Sequence, residues 1–122
     1  MQPNFKPGKN IAIKVPSHQY RQTVSFYCDI LGLEPVAGAS PDADESVSLK
    51  FGDKTLWIDK IDTLSQSEIW LEIQTDDIDA AAAYLKNANI VRRDEIEPLP
   101  EGFIGFWISS PAHTIHLVSE KK

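Results

Sequence analysis

A unit that occurs twice, a short alternating strand followed by a helix-forming stretch, constrains this chain more than any other feature. The first copy reads NIAIKVPSHQYRQTVSFYCDILGL from Asn10, and in it Ile11, Ile13 and Val15 alternate with Asn10, Ala12 and Lys14, the period of a half-buried strand. Ser17 is placed to cap a helix whose apolar stripe is Tyr20, Val24, Tyr27 and Leu31, and Gly32 supplies a left-handed stop. The second copy reads EIWLEIQTDDIDAAAAYLKNANI from Glu68. There Ile69, Leu71 and Ile73 alternate with Trp70, Glu72 and Gln74, and a stripe of Ile78, Ala81, Ala82 and Leu85 follows. Asp76 and Asp77 sit where a cap and the positive end of a helix dipole favour acid, and Asn89 takes the stop position. The two strands begin about half a chain apart, so an internal duplication organises the rest.

Between and around the copies the signals are shorter. Residues 1–9 read as a lead-in arm lying on the surface or on a partner, and Leu33 to Ala37 as a short, irregular strand carrying Pro35. Residues 38–46 form an exposed acidic loop, expected to be the most mobile segment. Val47 to Phe51 and Thr55 to Asp59 make a hairpin about Gly52 and Asp53, and 60–67 connect the halves. Later come a charged strand at Ile90 to Glu97, a strong one at Phe103 to Ser109, and a last one at Thr114 to Ser119 after the turn at Pro111. Each half therefore reads strand, helix, strand, strand, strand. With 122 residues the chain is too short for two ordinary independent domains. The expectation is one α+β domain spanning 1–122, with module 1 at about 10–60 and module 2 at about 68–119.

Charge and composition narrow the partners. A net charge of −6, with no basic cluster beyond Arg92–Arg93 and the terminal lysines, repels phosphate backbones and argues against nucleic acid. No apolar run is long enough to cross a membrane as a helix, and MQPNFKPGK lacks the apolar centre of a signal peptide, so a soluble cytoplasmic protein is expected. The single cysteine, Cys28, rules out an intrachain disulfide and lies beside Val24 and Leu31, as a small, mostly buried side chain would.

Strand alternation divides the side chains into two faces. Ile11, Ile13, Val15, Leu56, Ile58, Ile69, Leu71, Ile73, Ile115 and Leu117 are expected to pack under the helices. The opposite face then carries Asn10, Ala12, Lys14, Trp57, Asp59, Trp70, Glu72, Gln74, Thr114 and His116, a mixture of aromatic and polar groups suited to lining a cavity.

The paired modules, the helix end SFYCDILGL and the closing GFWISSPAHTIHLV together resemble the vicinal oxygen chelate superfamily, which includes glyoxalase I, extradiol dioxygenases, and bleomycin and fosfomycin resistance proteins. The resemblance runs from about Asn10 to Ser119. It implies two βαβββ modules forming a curved mixed sheet with helices on the convex face, and a homodimer in which clefts are completed across the subunit boundary. Members that use a divalent ion hold it on the concave sheet with His, Glu or Gln from the first and last strands of each module. The corresponding positions here carry Asn10, Trp57, Trp70 and His116, of which only His116 is an ordinary metal ligand. No metal and no other cofactor is therefore expected. A displaced ion site using His116 and Glu72 is the alternative, and it would make the chain a metal-dependent lyase, isomerase or dioxygenase.

The residues expected to meet a small organic ligand are Asn10, Lys14, Trp57, Trp70, Glu72 and His116. Two readings stand for Trp57 and Trp70: they clamp a flat or apolar ligand, as in drug-sequestering members of the superfamily, or they fill the cavity or seal a dimer interface. Trp107 reads as a core or interface residue. Two readings likewise stand for His116, as a ligand-binding or acid–base group or as a side chain satisfied by Glu72, Asn10 or water. Lys14 and Glu72 either pair with each other or meet a charged ligand group. No catalytic residue is assigned.

Overall fold

A computed structural model describes residues 2–121. The chain forms two compact units, one of Lys9–Trp70 and one of residues 2–8 with 71–121. Its elements are β1 (Phe5–Val15), a 3₁₀ turn (Ser17–Gln19), α1 (Tyr20–Ser25), a π turn (Phe26–Ile30), β2 (Ser46–Phe51), β3 (Lys54–Lys60), β4 (Glu68–Thr75), α2 (Ile78–Asn87), β5 (Val91–Arg92), β6 (Gly105–Ser109) and β7 (Ile115–Glu120). No helix among the described residues is long and apolar enough to cross a membrane.

In the unit Lys9–Trp70 the order is β2-β3-β1: β2 and β3 are the expected antiparallel hairpin, and β3 returns parallel to β1, pairing Ile11 with Leu56 and Ile13 with Ile58. Gly52 takes φ +64° in the hairpin turn. Pro35 makes one bridge to Leu49, all that forms of the strand expected at Leu33 to Ala37. Paired residues of neighbouring strands share a face. Val47, Leu49, Leu56, Ile58 and Val15 accordingly meet Tyr20 and Val24 of α1 in one core, with Ile11 and Ile13 packed against it. Leu49 and Ile58 are wholly buried, each contributing about 1.5–3 kcal/mol.

The first helix departs from the even stripe expected of it. Ser17 caps nothing; its hydroxyl donates instead to Asp62. The π turn, closed by the Leu31 N–H on the Phe26 carbonyl, widens the last turn by one residue. Leu31 is thereby carried off the stripe into solvent, while Gly32 takes the expected left-handed conformation at φ +74°. The acidic loop is tied down by Arg21, which donates to the Asp42 carbonyl and pairs with Asp44, and by the Tyr20 hydroxyl on the Ala43 carbonyl.

The second unit repeats the plan. β7 runs parallel to β4 and antiparallel to β6, and β5 pairs with β6, giving the order β4-β7-β6-β5. The strand expected over Ile90 to Glu97 is only Val91–Arg92. Asp77 caps α2, its carboxylate accepting the Ala80 N–H at 3.0 Å, and Asn89 takes φ +63° beyond the helix end. Ala81 is fully buried against Phe106, Ile108 and Val118, with Ile78, Ala82, Leu85 and Ile90 around them.

The opening residues, the last strand and two positions of β4 differ from expectation. Residues 2–9, expected as an arm on the surface or on a partner, include the start of a strand: β1 begins at Phe5, whose ring meets Tyr84, and Asn4 bonds Asp76 through its backbone N–H and its side-chain amide. The face assignment of the last strand is also reversed. Val118 packs under α2, and its partners Ile73 and Phe106 fix the parity, so Ile115 and Leu117 point to the other face. Nor are Ile69 and Leu71 core residues, being 55% and 36% exposed.

Candidate functional site

In the unit Lys9–Trp70 the sheet face away from α1 carries three polar rows. Register aligns Asn10 with Thr55 and Lys50, Ala12 with Trp57 and Ser48, and Lys14 with Asp59 and Ser46. Trp57 is 38% exposed, and its Nε1–H donates to Asn10 Oδ1 at 2.7 Å. Its cross-strand neighbours Ala12 and Ser48 are small, so the indole is held at its nitrogen while its ring has no bulky neighbour along the row.

Trp70 is placed differently. Only 9% exposed, it donates from Nε1 to Glu68 Oε1 at 3.0 Å and carries the Lys14 ammonium 4.2 Å from its ring centroid. Lys14 is buried, with Nζ 2.7 Å from Asp59 Oδ2, and the second oxygen of Asp59 accepts the Ser46 hydroxyl. Sequence reasoning put Asp59 on this face without assigning it a role. Its position opposite Lys14 depends on the β1–β3 register, which no single strand encodes.

Glu72 and His116 belong to the other unit. Glu72 Oε2 accepts the Ser119 hydroxyl at 2.8 Å, and its stem lies against Gly8, where an added Cβ would come within 2.4 Å of Glu72 Cγ. Glu72 pairs in register with Leu117, whereas His116 pairs with Leu71 and Ile108 on the face that packs under α2. The two residues thus lie on opposite faces, and the displaced ion site is withdrawn. His116 Nδ1 is 3.2 Å from the Leu71 carbonyl, so it is the Nδ1–H that donates there. Trp107 is a core residue, 5% exposed, with Nε1–H on the Glu97 carbonyl.

Two side chains have titration raised by burial. Burial raises the Tyr20 hydroxyl above its ordinary range, and burial, followed by the nearby Asp29 charge, raises the Cys28 thiol. A thiol so shifted is a poor nucleophile at neutral pH.

Two cavities lie on the helix-bearing sides. One of about 380 Å³ in the first unit is lined by Ile13, Val15, Gln19, Gln22, Thr23, Phe26, Tyr27 and Ser67. One of about 360 Å³ in the second is lined by Ala82, Ala83, Leu85, Lys86, Ile90, Arg92, Phe106 and Ile108. Neither contains any of the six residues expected to bind a ligand.

The four positions that would hold the superfamily's divalent ion do not fit one. An indole offers only an N–H donor, His116 lies on the helix-bearing face, and the Asn10 carbonyl oxygen is engaged by Trp57. No group of three His, Cys, Asp or Glu side chains converges among the described residues.

No protein-family model and no curated protein matches the sequence. Solved structures do match the fold. The Mn(II)-bound glyoxalase of Novosphingobium aromaticivorans aligns over 97% of this chain and 40% of its own, with a TM-score of 0.70 and 20% identity. Homoprotocatechuate 2,3-dioxygenase of Arthrobacter globiformis aligns over 99% of this chain and 38% of its own, at 0.64 and 17%. This chain thus spans about two fifths of those two proteins. A hypothetical protein of Bacillus halodurans C-125 is similar in size, with 98% of this chain and 96% of that one aligned, at 0.62 and 17%. The order of elements, the parallel return of the last strand in each unit and these alignments agree: the chain has the fold seen in these glyoxalase and dioxygenase structures.

Proposed function

We propose that the protein binds a small aromatic or apolar molecule by stacking on Trp57, and that it does so without a metal ion. The observation that carries this reading is the state of that indole: 38% exposed, flanked by small side chains, and fixed in orientation by Asn10. A ring held by its N–H loses little rotamer freedom on binding and keeps its π surface for a planar partner. Trp70 is not the second jaw of a clamp, because the Lys14 ammonium occupies its ring face. Its role is to hold Lys14, which keeps β1 and β3 in register beneath the Trp57 row. The unsuitability of Asn10, Trp57, Trp70 and His116 as donors supports binding over metal chemistry.

The test is a fluorescence-quenching titration with planar bicyclic aromatics such as quinoline and 2-naphthol, before and after dialysis against EDTA. Saturable quenching that survives EDTA and weakens about tenfold in Trp57→Ala is expected, since one stacking contact is worth about 0.5–1.5 kcal/mol beyond the area it buries. Unchanged affinity in Trp57→Ala, or binding abolished by the chelator, would overturn the proposal.

A further inference from the structure

The cavity of about 360 Å³ in the second unit belongs to none of the machinery above, and its lining is sharply divided. Ala82, Leu85, Ile90, Phe106 and Ile108 make an apolar floor between α2 and β6, while the only charged side chains lining it are Lys86 and Arg92. Both are cations in a chain whose net charge is −6, so any attraction for an anion here is local rather than a property of the whole surface.

The two cations are set differently. Arg92 is anchored: its Nε donates to Asp94 Oδ2 at 2.8 Å, and its guanidinium carbon lies 4.2 Å from the centroid of Phe106, on the cavity floor. Asp94 is itself fixed by accepting the Trp107 backbone N–H at 3.1 Å. The guanidinium is therefore held beside the apolar floor through Nε, and the ion pair with Asp94 leaves its two Nη groups to offer the planar fork that suits a carboxylate. Lys86, in the last turn of α2, has no carboxylate partner among the described residues.

We infer that this cavity is a binding site for an amphipathic monocarboxylate, the apolar body on the floor between α2 and β6 and the carboxylate between Arg92 and Lys86. A volume of about 360 Å³ lies within the range of small-molecule sites and has room for a medium-chain acid such as octanoate. A phosphate or sulfate would meet the same cations but leave the apolar floor uncovered, so the floor selects for an acid with a hydrocarbon body.

Titration of the ¹⁵N-labelled chain with octanoate, followed by NMR and calorimetry, tests this. A single saturable site is expected, with shifts concentrated on Ala82, Leu85, Ile90, Phe106 and Ile108. Lys86→Gln should weaken it about tenfold, as loss of one charge-assisted contact does, and Arg92→Gln by at least as much. Octan-1-ol, with the same body and no charge, should bind at least about tenfold more weakly than octanoate. Lys86→Gln is an exposed substitution that leaves the fold intact, so it decides the matter even if Arg92→Gln disturbs the turn at Asp94. The inference is overturned by unchanged octanoate affinity in Lys86→Gln, by equal binding of octan-1-ol, by shifts centred on Trp57, or by no saturable binding.

Discussion

Asp59→Ala should be among the most damaging substitutions on the polar face of the first unit, and the reason is the company Lys14 keeps. The lysine is 3% exposed, and Asp59 Oδ2 lies 2.7 Å from its ammonium. Removing one partner of a buried pair costs about 3–5 kcal/mol, and because the Asp59 side chain is 18% exposed the low end, about 3 kcal/mol, applies. The reverse substitution is milder. Lys14→Met leaves Asp59 with the Ser46 hydroxyl and some access to water, and gives up the contact with Trp70, for a net cost of about 1 kcal/mol. The double variant should lie near Lys14→Met, with a coupling of about 3 kcal/mol between the two sites. Urea unfolding followed by far-UV circular dichroism separates these cases. With a slope of about 1.5 kcal/mol per molar urea, Asp59→Ala moves the midpoint down by about 2 M and Lys14→Met by about 0.7 M. A lysine substitution costlier than the aspartate one, or an Asp59→Ala cost below about 1 kcal/mol, would refute the reasoning.

Further outcomes follow from single contacts. Asp77→Ala removes the cap on α2 and should cost about 1 kcal/mol in the same urea assay, with Asp77→Asn recovering most of it. Asp76 accepts the Asn4 backbone N–H and then its side-chain amide, which hold its carboxyl below the ordinary range. Its stabilisation is therefore present above about pH 4 and lost as pH falls through the depressed value, which an NMR titration of the Asp76 carboxyl would report directly. The Tyr20 hydroxyl is shifted the other way by burial, so the folded state holds that proton longer than the unfolded one; stability should fall as pH rises above about 10, and less so in Tyr20→Phe.

The strand and helix order was legible because both copies of the repeat keep a clean period of two and then a clean helical spacing. Legibility failed where the pattern is ambiguous. Around β7 the sequence AHTIHLVS has apolar groups at both parities, Ile115 and Leu117 against Val118, and only the partners Phe106 and Ile108 decide which parity faces α2. His116 was placed on the wrong face for that reason. Leu31 was read as core because its spacing from Tyr27 is helical, yet a π turn between them rotates it away. Of the expected ligand-binding set, the Asn10–Trp57 pair is brought together as the alternation implies. The burial of Lys14 is a tertiary outcome, since alternation assigns a face and says nothing of depth. The cavity beside Arg92 was missed because its walls come from α2, β5 and β6, three elements with no shared motif.

The first residues of the chain complete the unit built by its last fifty. Asn4 reaches Asp76 across 72 positions, Phe5 lies on Tyr84, and Gly8 is closed over by Glu72. During synthesis this segment leaves the ribosome well before its partners and must wait for them, so the second unit cannot reach its final stability while residues 4–8 are altered or held elsewhere. A change at Asn4, Phe5 or Gly8 is, in its effect, an alteration of the unit built from residues 71–121.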